Sequence, residues 1–166
     1  MTHERFSLIQ KYLHLADNCQ MPPPDSPNFD LLYKVRPILN LAQKFKTVMN
    51  PQRGLAIDEA MIAYKGKFPT RQYMRDKPDK WGFKMWAIAE SKSGYMLDIS
   101  PYLGKKEVVR KELLLGEQVV LQLSEAFRDI YYHIYFDNFF TSVFLMEELL
   151  KYNIYACGTV RSNRRE

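Results

Sequence analysis

A mixed α/β sheet covered by helices, with a helical section in front of it, is the fold class that the sequence predicts. Three observations predict it. Residues 21–27, MPPPDSP, hold four prolines, and proline clusters stop helices and stiffen connections. On either side of this break, apolar residues recur at helical spacing. From Gly54 onward the pattern changes to short apolar or alternating runs, first in succession and then interleaved with amphipathic stretches.

In chain order, Phe6, Ile9 and Leu13 mark a first helix. Ile38, Leu41, Ala42, Phe45 and Met49 mark a second, with Pro37 suited to a first helical position. Residues 1–53 are therefore expected to form the helical section and residues 54–166 the sheet domain. LAIDEAMIAY, FKMWAIAES and YMLDISPYL read as three consecutive strands, separated by turn signals at Lys77-Pro78 and Ser93-Gly94. Val119, Val120, Leu123, Ala126 and Phe127 mark an amphipathic helix and IYFDNFF a strand. Val143, Met146, Leu149 and Leu150 mark another helix, and IYACGTV a last strand. The order βββαβαβ describes the core of a ribonuclease-H-like mixed sheet, in which the first and fourth strands lie side by side. Fold alone assigns no chemistry.

A chain of 166 residues suits one sizeable core. No apolar run approaches the roughly 20 residues that cross a bilayer. Glu4, Arg5 and Lys11 interrupt the first residues, so a secretory signal's apolar core is missing there. An intracellular protein with no membrane partner is expected. Cys19 and Cys157 stand far apart without a CxxC pair, which signals neither a disulfide framework nor a zinc site and leaves buried or inert thiols as the expectation.

The formal charge is +5, and the window 65–84 supplies all of it: Lys65, Lys67, Arg71, Arg75, Lys77, Lys80 and Lys84 face only Asp76 and Asp79. Phe68, Tyr73, Trp81 and Phe83 are interleaved with these cations. Such a mixture grips phosphates and stacks on bases, although a solvated basic hairpin with core aromatics has the same composition.

Two carboxylates stand out. Asp58 falls inside the first strand and Asp137 at the end of the fourth, each among apolar neighbours. Burying either charge would cost several kcal/mol, on the order of 3–5, unless a cation compensates it. Side by side they would repel one another and converge on a hard, oxygen-seeking Mg²⁺ or Mn²⁺. The plainer alternatives are an ion pair for Asp58 and a helix cap for Asp137, although Thr141 and Ser142 already offer that cap. Glu59 should point to the opposite face of the sheet.

The residues then carry a specific resemblance. IDEAMIAYKGKFPTRQYMRDKPDKWGFKMW, SGYMLDISPYLGK, YFDNFFTSVFLMEELL and GTVRSNRRE resemble, in order and spacing, the conserved blocks of the piggyBac transposase family and its transposable element-derived relatives. The resemblance implies a nuclear cut-and-paste DNA transposase, or a host-domesticated relative, with a ribonuclease-H-like Asp-Asp-Asp site that holds two divalent metal ions. Asp58 matches the first catalytic aspartate and Asp137 the second, which makes both metal ligands. Lys65, Lys67, Arg71, Lys77, Lys80 and Lys84, with Arg161, Arg164 and Arg165, would contact DNA. Element ends and TTAA targets are the family's DNA partners, and the front section resembles the end of its dimerisation and DNA-binding region, so a homodimer is expected of a complete protein.

The family's third aspartate lies on a later helix, and its cysteine-rich zinc module follows. Neither falls within residues 1–166, so the chain reads as an incomplete catalytic domain, cropped at both ends. Glu147, Glu148 and Glu166 are poor substitutes for the third ligand. The expectation is weak Mn²⁺ binding with negligible strand transfer by the isolated chain. The alternatives are a catalytically inactive, domesticated or degenerate remnant that binds DNA or proteins, another ribonuclease-H-like nuclease, or a purely structural module.

Overall fold

Alternation in Gly54–Ala63 makes a strand, β1, with Leu55 and Ile57 on one face and Ala56 and Asp58 on the other. It is the centre of the sheet in a computed structural model that describes residues 1–104 and 112–162. Two further strands flank it. β3 (Trp81–Glu90) pairs with it antiparallel from Leu55↔Glu90 to Ala63↔Gly82. β5 (His133–Phe136) pairs with it in parallel from Gly54↔His133 to Ile57↔Phe136. β6 (Tyr155–Gly158) continues the parallel half on β5. β4 (Met96–Pro101) pairs antiparallel with β3, with a register shift near Ile88 and Ala89.

The first and fourth expected strands therefore do lie side by side, as β1 and β5. A short strand that the sequence did not suggest, β2 (Gln72–Tyr73), pairs with the start of β3. Its two residues are too few to show periodicity. β5 is shorter than expected: it stops at Phe136, and residues 137–140 turn away.

One face of the sheet carries the core. Leu55, Ile57, Trp86, Ile88, Ile134 and Phe136 pack against α4 (Leu115–Leu123) and α5 (Val143–Lys151) through Val119, Val120, Leu123, Leu145 and Leu149. A short 3-10 turn, Glu125–Phe127, completes the expected helix after α4. On the other face Asp58 and Ile62 of β1, Tyr135 of β5 and Tyr155 of β6 are exposed.

The chain divides into two compact units, Met1–Gln43 and Lys44–Glu166. This division falls before residue 53, where the sequence places the end of the helical section. The second expected helix is broken into α2 (Arg36–Ala42) and α3 (Phe45–Val48), and α3 belongs with the sheet. Lys46 of α3 pairs with Asp98 of β4 at 2.6 Å, and the Tyr95 hydroxyl donates to the Phe45 carbonyl at 3.3 Å. In the first unit, Thr2 caps α1 (His3–Tyr12). Arg36 makes a two-pronged contact with Asp30, both at 2.7 Å, which holds the Asp30 carboxyl below its ordinary range. Phe6, Ile9 and Leu13, whose spacing marked the first helix, are all exposed. Cys19 and Cys157 are free and exposed, so the expectation of buried thiols does not hold. No described helix is long and apolar enough to cross a membrane.

Glu117, 6% exposed, ties the two helices together. Its Oε2 accepts the Leu114 N–H at 2.8 Å and its Oε1 accepts the Ser142 hydroxyl at 2.6 Å. The Ser142 oxygen in turn accepts the Leu145 N–H at 3.0 Å and so caps α5. Next to Glu117, a Cβ on Gly116 would stand 2.8 Å from the Phe139 carbonyl oxygen. The start of α4 is therefore pressed against the turn that follows β5.

Glu117→Ala should destabilise the protein by about 1–3 kcal/mol, because it strands a part-buried hydroxyl and a helix-start N–H, and chemical denaturation would measure the loss. Gly116→Ala should also destabilise it and should move the amide resonances of residues 137–140, which a substitution felt only within α4 would leave in place.

Candidate active site

β1 and β5 bring the two sequence-predicted carboxylates together. Ile57↔Phe136 is the last pair of their parallel ladder, and Asp58 and Asp137 are the next residues on each strand. Neighbouring strands run about 4.8 Å apart. Both carboxylates therefore leave adjacent backbones at one level, where β5 stops and β1 continues.

Both are exposed. The expectation that apolar neighbours would bury them fails for a geometric reason. Alternation sends Ile57 into the core and Asp58 to the opposite face, and Asp137 stands on the turn beyond the strand. A cation here would be attracted by anionic groups on two adjacent strands rather than demanded by a buried charge.

Each aspartate has one oxygen engaged locally. Asp58 Oδ1 accepts the Glu59 N–H at 2.7 Å, and Asp137 Oδ1 accepts the Phe139 N–H at 2.8 Å. Among the described residues, neither Oδ2 accepts a hydrogen bond. The plainer readings do not account for the pair. Ser142, not Asp137, caps α5, and no described lysine or arginine stands within ion-pair distance of Asp58. Two carboxylates, each with an oxygen available, fit a hard divalent ion, which takes oxygen ligands and retains waters. No described group of three or more Asp, Glu, His or Cys residues could enclose one. Glu148 is paired with Lys151 on α5, Glu147 is exposed on the same helix, and Glu166 lies outside the described residues.

On the core side of the sheet, beyond the end of β5, Asp137 borders an open groove of about 530 Å³ with Glu59, Lys84, Phe139 and Arg161. Glu59 lies opposite Trp86, and Met61 opposite Lys84, in the β1–β3 ladder. Glu59 thus points away from the face of Asp58, as expected, and meets Lys77: Nζ lies 3.5 Å from its carboxylate and donates to its main-chain carbonyl at 3.4 Å. The Lys84 ammonium sits 4.0 Å from the Trp86 ring centre and 5.1 Å from that of Phe139. Those two rings are stacked at 5.6 Å. Burial holds the Lys84 ammonium below the usual lysine range; Glu59, Asp137 and Asp58 pull it back up, while Lys77 reinforces the depression.

The remaining predicted DNA contacts divide by what they touch. Arg71 donates to the Lys65 and Gly66 carbonyls at 3.2 and 2.9 Å and lies 4.4 Å from the Trp81 ring centre. With Lys77, it holds the β1–β3 connection together. Lys65, Lys67, Lys80 and Arg161 are exposed; Arg164 and Arg165 lie outside the described residues. Trp86, Phe139 and Glu59 were not among the expected site residues. The period-two spacing of Lys84 and Trp86 on a strand facing Glu59 could have found Trp86 and Glu59; nothing local points to Phe139. A larger cavity of about 660 Å³, bordered by Glu125, Arg128 and Glu148, contains neither aspartate.

Comparison with known proteins gives this arrangement a context. The family model described as Transposase IS4 matches residues 1–166. The human PiggyBac transposable element-derived protein 3 is 34% identical over 98% of this chain and 27% of its own length. Human PiggyBac transposable element-derived protein 2 is likewise 34% identical over the same shares. The chain belongs to the piggyBac transposase family. A cryo-EM structure of a piggyBac transposase synaptic complex with hairpin DNA superposes with a TM-score of 0.86 at 33% identity, covering 99% of this chain and 34% of that one. The ribonuclease-H-like sheet is that of the family, whose members generally use divalent metals. The chain spans about a quarter of the length of the curated relatives it matches.

Lys84 gives this piggyBac-family domain a pH signature. Its depressed folded value means that the unfolded chain, at the ordinary 10.5, binds more protons, so stability rises with pH between the two values and is flat below them. Lys84→Met should abolish that rise, which urea unfolding from pH 7 to pH 10.5 would show.

Proposed function

We propose that this chain supplies two of the metal-binding carboxylates, Asp58 and Asp137, and part of the DNA-contacting surface of a piggyBac-type cut-and-paste transposase. The observation that carries the reading is the β1–β5 register, which sets both aspartates one step past Ile57↔Phe136 in a chain of that family. Mg²⁺ or Mn²⁺, two ions in the complete site, would supply an activated water or 3′-hydroxyl and stabilise the leaving oxygen in an in-line displacement at phosphorus. Asp58 and Asp137 would hold the ions through Oδ2. A further ligand must come from outside the described residues.

Exposed Lys65, Lys67 and Lys80 flank the site on the β1–β3 connection, where cations mainly contact phosphates and set the position of a duplex. Arg161, with Arg164 and Arg165, would extend that surface. The same reading brings element ends and TTAA targets, dimerisation of the complete protein through a region that residues 1–53 adjoin, and a nuclear location.

A second reading, a DNA-binding remnant without cleavage, is favoured by one observation: the described residues offer two carboxylates and no third. Metal binding separates the two. Asp58→Asn and Asp137→Asn should each weaken Mn²⁺ by at least the roughly 10- to 100-fold that loss of an outer-shell partner costs. Calorimetric titration giving unchanged affinity in both variants would remove the metal site. Removing Lys65, Lys67 and Lys80 together should flatten the log–log salt dependence of DNA binding by about one unit per lysine, and an affinity indifferent to ionic strength would count against the surface.

A further inference from the structure

Lys84 differs from the other cations of the basic window, and from Arg161, which borders the same groove but is exposed. Lys77 is taken up by Glu59, Arg71 by two main-chain carbonyls, and Lys65, Lys67 and Lys80 extend into solvent. Lys84 is half-buried in the wall of the groove that Asp137 borders. The stacked Trp86 and Phe139 rings lie within 4.0 and 5.1 Å of its ammonium.

Ring faces attract an ammonium by about 0.5–2 kcal/mol at most such sites, and they offer no hydrogen-bond acceptor. The Lys84 ammonium has three donors, and no hydrogen bond or ion pair among the described residues uses them. The rings fix the position of the charge, and the groove leaves it open to an incoming anion. The anion must be one that comes up to a site already bearing Asp58 and Asp137. A free carboxylate would be repelled there, whereas a phosphodiester on a strand held by several other cations would not.

We infer that Lys84 is the residue that grips one backbone phosphate of the DNA strand in the groove that Asp137 borders, held in position for this by Trp86 and Phe139. This inference rests on the proposed function of the same site and assigns to one lysine a distinct, position-specific contact. The exposed lysines supply general attraction. Lys84 sets the register of the strand against Asp58 and Asp137. Arginine keeps the charge and can stack on the rings, but presents a planar fork in place of a compact ammonium.

The test is a coupling measurement on the whole chain with short duplexes, each carrying one neutral methylphosphonate, moved one phosphate at a time along the strand. For the wild type, one position should weaken binding by about tenfold beyond its neighbours, a charge-assisted contact's share. In Lys84→Met that position should lose its special effect, Lys84→Arg should restore part of it, and Lys80→Met should leave it intact. Equal sensitivity at the same position in wild type and Lys84→Met would overturn the inference. So would unchanged DNA binding with tighter Mn²⁺ in Lys84→Met, which would make Lys84 a counter-ion that metal displaces. Mn²⁺ binding by the Asp58→Asn and Asp137→Asn variants is read separately, so failure of the metal site and failure of the phosphate contact are distinguishable.

Discussion

The parallel pairing of β1 with β5 is the constraint on which the rest of the structure depends. Parallel neighbours need a long crossover between them, and here the crossover contains β3, β4 and α4. Those elements bury the Ile57↔Phe136 side of the ladder. A slip of one residue would turn Ile57 and Phe136 out and Asp58 in. Such a slip is opposed by the whole apolar face, because Leu55 and Ile134 would turn out as well. The core thus fixes the level of both aspartates although neither aspartate belongs to it.

The turn after β5 is held with comparable redundancy. Asp137 closes it onto Phe139, and the Thr141 hydroxyl donates to the Asp137 carbonyl at 2.9 Å. Ser142 caps α5 while bonded to Glu117, and Gly116 allows α4 to abut the Phe139 carbonyl. Phe140 is buried in the core and Phe139 lies against Trp86. A carboxylate on an exposed turn is therefore placed by buried neighbours on both sides, which is what a positioned ligand requires.

Much of this was legible in the sequence for a simple reason: β1, β3, α4 and α5 have long or strongly periodic apolar patterns, and tertiary packing agrees with them. The pairing of Asp58 with Asp137 followed from element order together with the IDE and DN-FTS resemblance. What the residues hid was anything that depends on where a pattern is used. Phe6 and Ile9 lie in α1 and Leu13 just past its end, at helical spacing, yet all three remain exposed. Phe45 and Met49 continue the spacing of α2, yet Phe45 starts a separate turn of helix against β4. Apolar flanks suggested burial for Asp58, whereas strand alternation, with Ile57 in the core, turns Asp58 to the exposed face. The seat of Lys84 on Trp86 and Phe139 joins residues from β3 and the turn after β5, a contact that no local pattern could show.

The basic window illustrates how one composition divides into different physical roles. Its cations are equivalent as charge, but the fold gives them unequal freedom. Arg71 and Lys77 satisfy carbonyls and Glu59, and in doing so shape the connection from which Lys65, Lys67 and Lys80 project. Those three retain mobile, hydrated ammonium groups, suited to a diffuse interaction that salt screens. Lys84 has surrendered part of its hydration to lie on aromatic faces, and the nearby carboxylates only partly offset that loss. An ammonium held short of compensation in the groove that Asp137 borders is one that a strand phosphate would neutralise, and metal ions held by the aspartates would remove the repulsion that otherwise keeps such a phosphate out.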